Sequence, residues 1–60
     1  MKCFKGKLRG RTTLIAAKSK RRAATILGVT MKRLEEVPYP SWVKDEVVYV
    51  RNEIGDYVER

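Results

Sequence analysis

The side chains in this sequence that could carry chemistry are nearly all cationic. Its 60 residues include 14 lysines and arginines, seven aspartates and glutamates, a single cysteine and no histidine. Histidine is the commonest general acid and base in enzymes, and most nucleophiles need such a base beside them. The sequence also lacks a glycine-rich phosphate loop with a lysine, and paired carboxylates in apolar surroundings. We therefore expect no catalytic residues, no cofactor and no enzymatic activity.

The sequence offers no internal crosslink and no metal site. Cys3 is the single cysteine, so neither a disulfide within the chain nor a cysteine and histidine zinc site can form. A lone thiol, with no apolar signal segment after Met1, fits the reducing cytoplasm. No stretch approaches the roughly 18 apolar residues that a membrane helix needs. We expect a cytoplasmic protein without a metal or a membrane partner, in which Cys3 is packed rather than reactive.

The charges are separated along the chain. Residues 1–33 contain eleven lysines and arginines and no acid, whereas residues 34–60 contain three basic and seven acidic residues. A surface with many cations and no nearby carboxylates attracts a polyanion through long-range attraction and counterion release. Nucleic acid is the usual polyanion, and the sequence does not decide between DNA and RNA. A merely solubilising charged face is the simpler alternative.

The elements that must position these cations begin with a hairpin and a helix. Residues 2–8 and 12–17 have strand-like composition, with turn-forming glycines between them. Ser19 is placed to cap a helix over residues 20–27, in which alanines and a leucine recur at helical spacing. Gly28 is placed to end that helix in the left-handed conformation.

The second half of the chain predicts a short helix and two more strands. Thr30 could cap a helix over residues 31–36, which Pro38 would stop. Residues 46–51 give the strongest strand signal, and residues 56–59 could form a last short strand. We expect one α+β domain over residues 1–60, in the order ββααββ, with the two helices packed on a small antiparallel sheet.

Residues 20–37 resemble the helix-turn-helix unit of bacterial and phage DNA-binding proteins. Ala24 stands where the two helices would cross, Gly28 where the chain would turn, and Val29 where a side chain would fill the gap. Leu34 and Val37 would seat the second helix on the core. The whole chain is also similar to short bacteriophage proteins, including excisionase-like DNA binders. The resemblance implies a DNA-binding regulator in a bacterial cell or a phage-infected host, with duplex DNA as the partner.

The resemblance also implies which residues contact DNA. The second helix would lie in the major groove, with Thr30 and Lys32 facing the bases together with Met31, Glu35 and Glu36. The cations expected near phosphates are Lys20, Arg21, Arg22 and Arg33. Independently of the resemblance, the hairpin tip carries Arg9 and Arg11 on either side of Gly10. These two arginines could enter a minor groove or bind the backbone.

Other modes of action stay open on the sequence alone. The same two helices, or the edge of a strand over residues 47–51, could dock on a host protein. A homodimer would enlarge the core and supply a second DNA half-site. For RNA, Phe4 or Tyr49 on the sheet could stack on bases. For Trp42 we expect packing in the core or between the helices, since a chain this short has little apolar material to spare; a surface position for stacking on bases is the alternative for Trp42, Tyr39 or Phe4.

Overall fold

The computed structural model describes residues 1–60 and consists of one antiparallel sheet with a single α-helix. Its elements are β1 (Lys2–Leu8), β2 (Arg11–Ala17), α1 (Lys20–Leu27), β3 (Glu35–Val37), β4 (Val48–Arg51) and β5 (Tyr57–Glu59). A single 3₁₀ turn, Met31–Arg33, lies between α1 and β3. The strand order across the sheet is β3-β1-β2-β4-β5, and every neighbouring pair is antiparallel.

The predicted N-terminal hairpin is confirmed. Strands β1 and β2 pair from Lys2 opposite Ala17 to Leu8 opposite Arg11, which leaves a loop of two residues. Arg9 and Gly10 both have positive φ angles, of 54° and 78°. Two consecutive left-handed residues are the geometry of a type I′ turn, whose twist matches that of the flanking strands. The tip of the hairpin is therefore tight and carries an arginine side chain.

The predicted first helix is confirmed with its two caps. The Ser19 hydroxyl accepts a hydrogen bond from the Arg22 backbone N–H at 3.1 Å. Gly28 ends the helix in the left-handed conformation, and its N–H donates to the Ala24 carbonyl at 2.8 Å. Both bonds satisfy backbone groups that a helix terminus leaves unpaired. The buried Ala23, Ala24 and Leu27 face the sheet.

The predicted second helix, the ββααββ order and the helix-turn-helix assignment are wrong. Residues 31–33 form one 3₁₀ turn, Thr30 makes no side-chain cap, and Glu35–Val37 pairs with β1. A six-residue helix satisfies few of its own backbone groups, because four N–H and four C=O groups lack partners at its ends. The free edge of β1 offers ladder hydrogen bonds to the same segment. Pairing of this segment with β1 is therefore favoured over a second helix, and no recognition helix exists.

The core occupies both faces of the sheet. On the face that α1 covers, Phe4 and Ile15 pack with the buried alanines and leucine of the helix and with Leu34. On the opposite face, Cys3, Leu14 and Tyr49 pack with Val43 and Ala16. Successive strand residues point to opposite faces, so β2 is apolar on both. Cys3, Phe4 and Tyr49 are at most 5% exposed, which removes the predicted stacking role of Phe4 and Tyr49.

Residues 38–47 cover half of the face opposite the helix. Val43 is buried there, the Lys44 N–H donates to the Tyr49 hydroxyl at 3.0 Å, and the Glu46 N–H donates to the Ala16 carbonyl at 2.7 Å. Glu46 is left-handed, with φ of 56°, so the strand predicted from residue 46 begins only at Val48. Strand β4 then lies between β2 and β5. Both of its edges are paired, so it is not the free edge expected for docking a partner.

Gly6 allows the 3₁₀ turn to approach β1 closely. A Cβ atom at this position would lie 2.7 Å from Leu34 Cδ2 and 3.1 Å from the Arg33 carbonyl oxygen. The second of these atoms is backbone and cannot move by a rotamer change. The absence of a side chain at Gly6 therefore leaves the space in which Leu34 packs and in which the Arg33 backbone lies beside the strand.

We predict that Gly6→Ala destabilises the fold by about 1–3 kcal/mol, because overpacking forces backbone and side-chain shifts. Urea unfolding measures the change. The control is Lys7→Ala, the next residue along the strand, whose exposed side chain should matter by less than about 0.5 kcal/mol. Equal stability of the Gly6→Ala variant and the wild type would show that the close approach does not constrain this turn.

Candidate functional site

The half of the sheet face left bare by residues 38–47 forms an open groove. Its volume is about 530 Å³, and it is lined by Lys5, Gly6, Lys7, Thr12, Arg33, Glu35, Arg51 and Tyr57. Four of these eight residues are cationic and one is acidic. The groove combines residues from β1, β2, β4 and β5 with Arg33 of the 3₁₀ turn and Glu35 of β3.

The strand register explains why these side chains converge. Lys7 is paired with Thr12 across β1 and β2, and Arg51 is paired with Tyr57 across β4 and β5. Because β2 and β4 are neighbours, these four residues form a row across four strands. With strands about 4.8 Å apart, the row is about 14 Å long. Lys5, two residues before Lys7, points to the same face of the sheet.

None of the cations of the groove forms an ion pair, although Glu35 lies opposite Lys5 in the register of β1 and β3. The three ion pairs of the chain lie elsewhere, between Lys2 and Glu36, Arg22 and Glu46, and Lys44 and Glu59. Within the groove, Arg51 Nε donates to the Gly55 carbonyl oxygen at 3.2 Å, which orients the guanidinium and leaves its charge unpaired. An open surface with four such cations and one carboxylate attracts an anion.

The basic surface continues toward the hairpin tip. A shallower depression next to the groove is lined by Gly10, Arg11, Thr12, Arg51, Asn52 and Glu53. Thr12 and Arg51 line both, so the two depressions adjoin. Arg11 precedes Thr12 in β2 and is paired with Leu8, so it lies beside the row without continuing it.

Of the eight residues predicted to bind nucleic acid, the structure places two at this surface, Arg33 and Arg11. Arg9 lies at the exposed hairpin tip and lines a further depression together with Leu8, Arg11, Thr13, Val50 and Arg60, so Arg11 borders this depression as well. Thr30 and Lys32 are exposed around the 3₁₀ turn and do not line the groove.

The remaining three predicted residues lie on the other side of the sheet. Lys20, Arg21 and Arg22 form the first turn of α1, which covers the face opposite the groove. Arg22 Nε lies 2.8 Å from Glu46 Oε2. This contact raises the pKa of Arg22 and lowers the pKa of Glu46 through their hydrogen bond and opposite charges. The Arg22 charge is therefore partly compensated within the protein.

Sequence reasoning missed Lys5, Lys7, Arg51 and Tyr57. A signal for the two lysines existed, since residues two apart in a predicted strand share a face. No comparable signal joined them to Arg51 and Tyr57, because that requires knowing that β4 lies beside β2. The acidic second half of the chain thus contributes a central cation to the groove.

No cluster of three or more histidine, cysteine or acidic side chains could hold a metal ion. Burial raises the pKa of the Cys3 thiol, which disfavours a reactive thiolate. None of the helices has both the length and the apolar composition needed to cross a bilayer.

Comparison with known proteins gives no assignment: no family model, no curated protein and no solved structure matches this chain. The helix-turn-helix resemblance therefore has no support from relatives, in addition to lacking its second helix.

Residues 38–47 contain a hydrogen bond that shifts the pKa of Tyr39. The Tyr39 hydroxyl donates to Asp45 Oδ1 at 2.7 Å, and this bond raises the pKa of Tyr39 to about 12. The ordinary tyrosine value is about 10. A raised folded-state pKa means that the bond stabilises the fold below pH 10, and that this contribution is lost as the pH rises toward 12.

We predict that Asp45→Asn lowers the pKa of Tyr39 toward 10, because the negative charge that disfavours tyrosinate is removed. Ultraviolet absorbance of tyrosinate during a pH titration measures this, with Tyr39→Phe identifying the signal. Glu53→Gln, which removes an exposed carboxylate elsewhere, should leave the titration unchanged. An unshifted curve in Asp45→Asn would show that Asp45 does not hold this segment through Tyr39.

Proposed function

We propose that this chain is a small nucleic-acid-binding protein that holds the phosphate backbone of its ligand in the sheet groove. The supporting observation is the set of four unpaired cations, Lys5, Lys7, Arg33 and Arg51, around an open groove with a single carboxylate. Phosphates bind such cations with release of counterions, which supplies most of the affinity independently of sequence. Thr12 adds a hydroxyl that can donate to a phosphate oxygen.

The proposed mechanism uses the sheet rather than a helix. Backbone hydrogen bonds fix the spacing of the four strands, so the cations of the row are positioned before the ligand arrives. Gly6 leaves room for the backbone of Arg33 beside β1, and the Gly55 carbonyl accepts a hydrogen bond from Arg51 Nε, which orients the guanidinium. The regulatory role implied by a recognition helix does not carry over, because that helix does not exist.

We place this binding in a reducing compartment such as the cytoplasm. Cys3 is buried, has no second cysteine to pair with and has a raised pKa. A free, unreactive thiol in a core is typical of cytoplasmic proteins.

We predict that the double variant Lys7→Glu and Arg51→Glu weakens binding of a mixed-sequence oligonucleotide by about tenfold or more at low salt, since two attractive charges become repulsive. The plot of log affinity against log salt should become less steep, with the magnitude of its slope smaller by roughly 1.4 to 1.8, as expected for two lost phosphate contacts. Fluorescence anisotropy of the labelled oligonucleotide measures both quantities.

The matched control is the double variant Lys20→Glu and Arg21→Glu on the opposite side of the sheet. It changes the net charge by the same amount, and acids in the first turn of a helix favour its folding. Its effect on affinity should be several times smaller. Equal losses in the two variants would assign binding to net charge rather than to the groove. No binding by the wild type at low salt would refute the proposed function.

A further inference from the structure

A further depression adjoins the groove at Tyr57 and has a different character. Its volume is about 580 Å³, and it is lined by Trp42, Asn52, Gly55, Asp56, Tyr57 and Val58. It contains two aromatic side chains, one carboxylate and no cation. Tyr57 lines both cavities, so the row of cations leads directly to this aromatic depression.

Trp42 packs against aromatic side chains on one side and is exposed to solvent on the other. Its ring is edge-on to Tyr49, with centroids 5.2 Å apart at 87°, and is tilted by 32° against Tyr57 with centroids 5.6 Å apart. Tyr49 is buried and accepts the Lys44 N–H, so this support is fixed. Trp42 nevertheless remains 49% exposed. The sequence-based expectation that it fills the core is met only in part.

The polar groups of the depression suit a base better than a phosphate. Asn52 Oδ1 accepts the Ile54 N–H at 3.0 Å and the Asp56 N–H at 2.9 Å, which fixes the hairpin between β4 and β5. The amide nitrogen of Asn52 donates to no protein group and can donate to a base carbonyl. The Asp56 carboxylate forms no ion pair; it repels phosphates but can accept N–H groups from a base edge.

We infer that the ligand is a single-stranded nucleic acid whose backbone crosses the groove and whose base lies against Trp42 and Tyr57. This inference rests on the proposed function and specifies its substrate class. Sheet surfaces that bind single strands combine a basic track with aromatic side chains on which bases stack. In a duplex the bases are already stacked and paired, so entering the depression would cost the free energy of unstacking.

Trp42 is the single tryptophan, so the intrinsic fluorescence of the protein reports on this contact. The wild-type protein is titrated at low salt with three ligands: a single-stranded DNA of about 12 nucleotides, the corresponding duplex, and base-free inorganic polyphosphate. Single-stranded DNA should quench the Trp42 emission, since a stacked base contacts the indole ring. Polyphosphate should compete for the groove without quenching, and the duplex should bind more weakly than the single strand.

A variant separates the two cavities. Tyr57→Leu should weaken single-stranded DNA binding by about fivefold or more, as expected for one lost stacking contact, and this loss should exceed any loss of polyphosphate binding, which depends on the cations. Tyr57→Phe retains the ring and should bind like the wild type. Ile54→Ser, at an 85% exposed position of the same hairpin, controls for substitution there and should change neither affinity. The wild-type titration decides the question even if Tyr57→Leu unfolds.

The outcomes distinguish the inference from the proposed function. Binding of all three ligands without a change in Trp42 emission, or tighter binding of the duplex, overturns the single-strand inference and leaves the groove as a phosphate site. Failure of all three ligands to bind overturns the proposed function and the inference together. Quenching by single-stranded DNA that is lost in Tyr57→Leu and kept in Tyr57→Phe establishes the base contact.

Discussion

The double-sided burial of strand β2 is the constraint on which the rest of the structure depends. β2 pairs with β1 over seven residues and with β4 over three, and its residues 13–17 are buried. A strand with apolar side chains on both faces of the sheet needs another part of the chain to pack over each face. Helix α1 covers one face and residues 38–47 cover half of the other. At the hairpin end β2 turns polar, at Arg11 and Thr12, so no cover is needed there and the groove stays open.

The separation of charge along the chain becomes a separation in space only after the sheet forms. Lys5 and Lys7 come from the basic half of the sequence, but the cation that continues their row, Arg51, comes from the acidic half. The acids of that half lie mostly on the edge strands and the hairpin between β4 and β5. Of these acids, Glu35 lines the groove itself and Glu53 lines the depression beside it.

The sequence predicted those elements whose signals are local. Ser19 and Gly28 mark both ends of α1, and the Arg9-Gly10 loop closes the first hairpin. Residues 31–37 were misassigned because their apolar residues fit helical spacing, whereas the deciding factor was the free edge of β1, far away in sequence. The same limit applies to the candidate site. The shared face of Lys5 and Lys7 follows from strand periodicity, but their proximity to Arg51 and Tyr57 follows from strand order alone.

The residues that line the groove add little to the core, so they affect the stability of the fold mainly through their charges. Lys5, Lys7 and Arg51 are exposed and add no apolar burial, while their like charges repel one another across the sheet. This repulsion lowers the stability of the free protein, whose core is small for its surface. Under the proposed function, a bound polyanion would reduce this repulsion and would bind the folded arrangement of strands more tightly than the unfolded chain. Binding would then stabilise the fold by mass action, so the charges that weaken the free sheet would also link its stability to the ligand.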